Sequence, residues 1–152
     1  MGDQPVVMPG LVVEQVGAVS LPLLKTQARE IIKQCHQAPY GKGTATVVDI
    51  DVRRVWELGP ESFSLTNPKW DEFVRTIVEH VKLELGLEHA DLSAHIYKLL
   101  VYEKGGFFLK HRDGEKLDGM VATLVITLPS NFKGGELIVS HEGQQQTIPM
   151  TA

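Results

Sequence analysis

An α+β fold is predicted, with helices at the front of the chain supporting a strand-rich back, and three observations predict it. Apolar residues recur at three- and four-residue intervals in two stretches, 20–38 and 67–86. Beyond residue 94 the apolar runs become short and are divided by Gly-rich and charged turns. Helices before strands argue for an α+β arrangement or a helix-buttressed β-sandwich, and against alternating β-α-β units.

The first helix is expected from Ser20, with Pro22 in its first turn and Leu24, Ala28, Ile31, Ile32 and Cys35 on one side, stopping near Ala38-Pro39. "TATVVDIDVRRVWEL" (44–58) has the β-branched content of one or two strands. The second helix is expected over 67–86. Asn67 supplies a cap, Pro68 a first residue, and Trp70, Phe73, Val74, Ile77, Val78, Val81 and Leu85 an apolar stripe that Gly86 ends. Strands are then expected at 94–103, 106–111, 120–129, 135–141 and 145–150, joined by turns as in an antiparallel sheet.

The chain has 152 residues, 43% of them hydrophobic and 22% charged, which suits one folded domain spanning 1–152. Nineteen acidic against fifteen basic residues give a net charge of −4, with no basic stripe, so a nucleic acid is not the expected partner. The lone Cys35 excludes an intrachain disulfide and a cysteine-rich zinc site, and fits an intracellular setting. No apolar run approaches the roughly 20 residues that span a bilayer. The first residues lack the basic start of a secretory signal, and Val6 stands where a myristoylation signal has Ser or Thr. A location in the cytoplasm or nucleus, without a membrane partner, is therefore expected.

The chemistry rests on "FFLKHRDGEK", 107–116. His111 and Asp113 are two positions apart, so on an extended strand both point to one face and can meet one ion. An imidazole nitrogen and a carboxylate oxygen are two corners of the facial triad that holds non-haem Fe(II) and leaves the opposite positions open. Alone, the same pair is more often a polar strand end. Its setting is more specific. Tyr102, Gly105, Phe107 and Phe108, then His111 and Asp113, an apolar strand from Thr123 to Leu128, and "GGEL" at 134–137 follow in order.

In that order residues 102–143 resemble the front half of the catalytic barrel of the Fe(II)- and 2-oxoglutarate-dependent dioxygenases of the prolyl 4-hydroxylase type. The resemblance implies a double-stranded β-helix, or jelly roll, buttressed by residues 1–93 and built from 94–152. It implies His111 and Asp113 as iron ligands, Tyr102 and Thr127 near the co-substrate, and Fe(II), 2-oxoglutarate and accessory ascorbate as cofactors. The expected activity is hydroxylation of a protein or small-molecule substrate. The distal histidine and the basic residue that such a site adds are not identifiable: His141 is the one histidine after Asp113, and no basic residue follows it. The chain is accordingly expected to be the N-terminal portion of a longer dioxygenase, with open sheet edges that allow self-association. Two other readings stand beside it: a non-catalytic β-sandwich used for binding or assembly, and a cupin-like metal site completed by His141. Arg53, Arg54 and Trp56 are candidates for a substrate entrance, or else a salt-bridged strand face and a core aromatic.

Overall fold

The computed structural model describes residues 7–42 and 45–150. It is a mixed α+β structure of two helices and several small antiparallel sheets, with no closed barrel among the described residues. Strands β1 (Leu11–Val13), β2 (Gly17–Ala18), β3 (His36–Gln37), β4 (Tyr40–Lys42), β5 (Ala45–Val47), β6 (Arg53–Arg54), β7 (Trp56–Leu58) and β8 (Phe63–Leu65) precede the second helix. Strands β9 (Leu99–Val101), β10 (Phe107–Phe108), β11 (Leu137–His141) and β12 (Gln144–Ile148) follow it. The front of the chain is therefore not a purely helical support.

Two three-stranded sheets carry the core. β1 lies between β2 and β8, and β7 lies between β3 and β9. Leu11, Val13 and Val19 from the first, Leu58 and Val101 from the second, and Ile31 from helix α1 (Lys25–Gln34) form one buried cluster. Ile32, Cys35, Trp56, Phe63 and Leu128 pack around it. Of the stripe expected on the first helix, Ile31, Ile32 and Cys35 face the core, while Leu24 precedes the helix and is exposed.

α1 starts later and stops sooner than its periodicity suggests. Leu23 bridges Ser130 and its N–H donates to the Pro129 carbonyl, so the backbone there is engaged outside the helix. At the other end His36 and Gln37 pair with Glu57 and Trp56. Helix α2 (Trp70–Glu84) matches its expectation more closely. Asn67 Oδ1 accepts from the Lys69 N–H at 3.0 Å and its amide donates to the Met8 carbonyl. At the far end Gly86 adopts φ +66°, the Gly86 N–H reaches Leu83 O, and the Leu87 N–H reaches Lys82 O. That is a Schellman stop, which needs a left-handed residue. Among the described residues no helix is long and apolar enough to cross a membrane.

The expected strand 120–129 is not one: no ladder bond forms along it, and Val121, Leu124, Val125 and Ile126 are exposed. A strand exists only where another strand accepts its backbone groups, and among the described residues only the Leu23 bridge at Ser130 does so. The β11–β12 hairpin forms as expected, with Leu137 opposite Ile148 and His141 opposite Gln144, but both of its faces are exposed.

Candidate metal centre

Glu103–Gly106 sets up the candidate site. The Gly106 N–H donates to the Glu103 carbonyl at 2.8 Å while Gly105 takes φ +76°, the left-handed conformation required at the third position of such a turn. A Cβ on Gly106 would lie 3.0 Å from the carbonyl oxygens of both Arg54 and Glu103, so only glycine lets the two backbones approach. The turn lays β10 against β6, with Phe107 opposite Arg54 and Phe108 opposite Arg53. A Leu109 N–H bond to Val52 O at 2.9 Å extends that ladder by one residue.

His111 follows where the ladder ends. Its Nδ1 lies 2.8 Å from the Leu109 carbonyl oxygen. A carbonyl only accepts, so Nδ1 carries the proton and the neutral ring's lone pair is on Nε2. Nε2 in turn lies 3.5 Å from Asp113 Oδ1. Two electron-rich atoms at that distance repel unless the ring is protonated or a cation lies between them. Cis ligands about 2.1 Å from an octahedral ion are separated by about 3 Å, so the pair needs only a small contraction to share one. A backbone carbonyl fixing the tautomer from behind is the usual outer support of a metal-bound histidine.

The ring is also held from the side. His111 stacks on Phe108 with centroids 3.5 Å apart and planes inclined by 17°. Arg53 Cζ lies 4.4 Å from the same Phe108 centroid. A face covered at 3.5 Å has no room for a second group, so Arg53 occupies the opposite face of the phenyl ring. The order Arg53, Phe108, His111 thus fixes the imidazole to the front of the molecule.

Tyr102 directly follows β9; burial pushes its hydroxyl above the ordinary tyrosine range, and the Arg53 charge partly opposes this. Thr127 is exposed in the unpaired segment, and the cavity of about 290 Å³ beside Asp113 is lined by Met120 to Thr123 rather than by Thr127. Among the described residues no group of three His, Cys, Asp or Glu side chains could hold an ion, so His141 does not join the pair. His141 instead sits at the end of β11, 3.9 Å from Glu142.

The three residues expected at an entrance separate. Arg54 and Trp56 line an open cleft of about 550 Å³ with Gln37, Ile50, Asp51, Glu103 and Phe107, and Arg54 meets Glu103 at 3.7 Å. Arg53 turns the other way, onto Phe108. Sequence reasoning missed Phe108 and Arg53 as supports of His111. No sequence signal marked them: positions 53, 55 and 57 all turn inward, but as Arg, Val and Glu they do not read as one buried face. No family model, curated protein or solved structure matches the chain.

Proposed function

We propose that the chain carries two of the three protein ligands of an Fe(II)- and 2-oxoglutarate-dependent dioxygenase, with His111 and Asp113 as those ligands. One observation carries the reading: the Nδ1–H of His111 is held by the Leu109 carbonyl, so that Nε2 faces Asp113 Oδ1 at 3.5 Å. The donor set, one imidazole and one carboxylate, suits Fe(II). Iron with 2-oxoglutarate would supply the oxidation of a substrate C–H bond. The protein's part is to orient: Phe108 fixes the plane of the imidazole, and Leu109 fixes its proton. A jelly roll, completed by strands that pair with 120–129, is the architecture this reading requires.

The test is an anaerobic Fe(II) titration with 2-oxoglutarate, following the visible charge-transfer band of the chelated ion. A band lost in both His111→Ala and Asp113→Ala is the expected result. A band that persists in both variants would overturn the assignment. The second reading, a binding or assembly module, is favoured by the exposed apolar side chains of 121–148, which suit a covering partner better than solvent. It predicts no band and a stable complex between copies in sedimentation.

A further inference from the structure

The cleft of about 550 Å³ that Arg54 and Trp56 line is not used by the proposed iron chemistry. Successive strand residues face opposite ways, so Arg54 and Phe107 lie across the β6–β10 ladder from Arg53, Phe108 and the His111 ring. The cleft walls combine two kinds of group. Trp56 and Phe107 present aromatic rings, and Asp51 and Glu103 present carboxylates. Glu103 already faces Arg54 at 3.7 Å, whereas the Asp51 side chain has no ion-pair partner among the described residues.

Gln37, opposite Trp56 on the β3–β7 ladder, lines the same cleft, and its Oε1 is buried with no donor. A buried acceptor left unpaired costs the desolvation of that group, which a ligand N–H recovers. The terminal torsion of a glutamine is broad, so the amide turns its oxygen to the cleft at little cost. A free carboxylate, a spare carbonyl oxygen and two aromatic rings are the groups that recognise a cation. An acid is disfavoured, because Arg54 is turned to Glu103 and Asp51 would repel it. Trp56 Nε1 is likewise buried without an acceptor, and a peptide, unlike a simple amine, brings a carbonyl as well as donors. We propose that the cleft takes the basic side chain of a peptide partner. Its apolar stem lies across Trp56 and Phe107, its charge meets Asp51, and one of its N–H groups donates to Gln37 Oε1. The site stands on this cleft alone and needs no iron.

The test uses the full chain, ¹⁵N-labelled and with EDTA present, so that it is independent of iron. The chain has two tryptophans, and the indole N–H resonance that persists in Trp70→Phe belongs to Trp56. That resonance is followed during titration with the capped tripeptides Ala-Arg-Ala, Ala-Lys-Ala and Ala-citrulline-Ala, the last being neutral. A saturable shift with both basic peptides and not with the citrulline peptide is expected, preserved in His111→Ala and weakened about tenfold or more in Asp51→Asn. A shift with one basic peptide alone also supports the site and names its cation. An unmoved resonance, an equal shift with the citrulline peptide, or unchanged affinity in Asp51→Asn would overturn it. Asp51 is exposed in a turn where its backbone N–H, not its side chain, bonds Asp49 Oδ1, so Asp51→Asn keeps the fold. If Trp70→Phe fails to fold, the wild-type indole resonances, assigned through their bonded neighbours, serve instead. Failure of the iron titration with a positive result here would reject the dioxygenase reading and leave the peptide site standing.

Discussion

The regions before and after Tyr102 differ in how they treat apolar side chains. Every buried apolar side chain of the described structure falls between Pro9 and Val101. From Tyr102 onward Phe107, Leu109, Leu117, Val121, Val125, Phe132, Ile138 and Val139 are all exposed. Yet the candidate iron ligands lie in the second region. Their geometry is imported from the first: β6 supplies the ladder for β10, Val52 extends it, and Arg53 backs the phenyl ring on which His111 lies. A site with little core of its own is made definite by a short, tight attachment to a region that has one.

If that account is right, the largest losses of stability come from the front region. Ile31→Ala, at a position 1% exposed, is expected to cost about 3–5 kcal/mol in denaturant unfolding. Glu57→Gln leaves Lys98 without its buried partner and is expected to cost about 3 kcal/mol. A loss below half of these values would show that the core is less sealed than its geometry implies. Next comes Gly106→Ala, whose Cβ has no room beside two backbone carbonyls. It is expected to cost about 1–3 kcal/mol and, unlike Ile31→Ala under folding conditions, to abolish iron binding by displacing Phe108 and His111 together. Iron binding unchanged in Gly106→Ala would cut the proposed link between the regions.

Cys35 gives a finer probe of the front region. Burial, and then the nearby Glu57 carboxylate, push its thiol up from 9.0 to about 11. Near pH 8 it should alkylate more slowly than an unburied thiol, and Glu57→Gln should speed the reaction by removing the charge that disfavours the thiolate. Because the folded state holds this proton more tightly, the stability linked to it is present below about pH 9 and is lost as pH rises toward 11. Equal alkylation rates in wild type and Glu57→Gln would remove Glu57 as a cause.

Local signals predicted local structure. Gly86 ends the second helix where expected and Asn67 binds the Lys69 N–H just ahead of its start, with Lys69 and not Asn67 at the N-cap, because such turn bonds and a left-handed stop act within one turn. The β11–β12 hairpin follows from the Glu142-Gly143 turn, where both residues take positive φ. The strands β1, β2 and β8 were not predicted, since β1 pairs with β8 about fifty residues away and "LVV" alone is too short to show a period. The 120–129 stretch reads as a strand because its composition fits one, but pairing is a property of two segments and composition of only one. The His111–Asp113 pair was visible as a spacing. Its support by Phe108 and Arg53 was not, because stacking across a ladder depends on a register that the sequence does not spell out.

The smallest effect is expected at the β11–β12 hairpin, where the comparison is most open to refutation. Leu137, Val139 and His141 share one face with Ile148, Gln146 and Gln144, and all are exposed. Replacing Val139 by Thr keeps the β-branch and removes only apolar surface that water already touches, so stability should stay within about 0.5 kcal/mol of wild type. An isolated two-stranded hairpin is at best marginally stable, and its amides should exchange with solvent much faster than those of β1 or β7. A clear loss of stability in Val139→Thr, with slow exchange along β11, would mean that a second copy covers this face in solution. The second region would then have a core of its own, shared between chains, and its dependence on the first would be smaller than the Phe108 stack suggests.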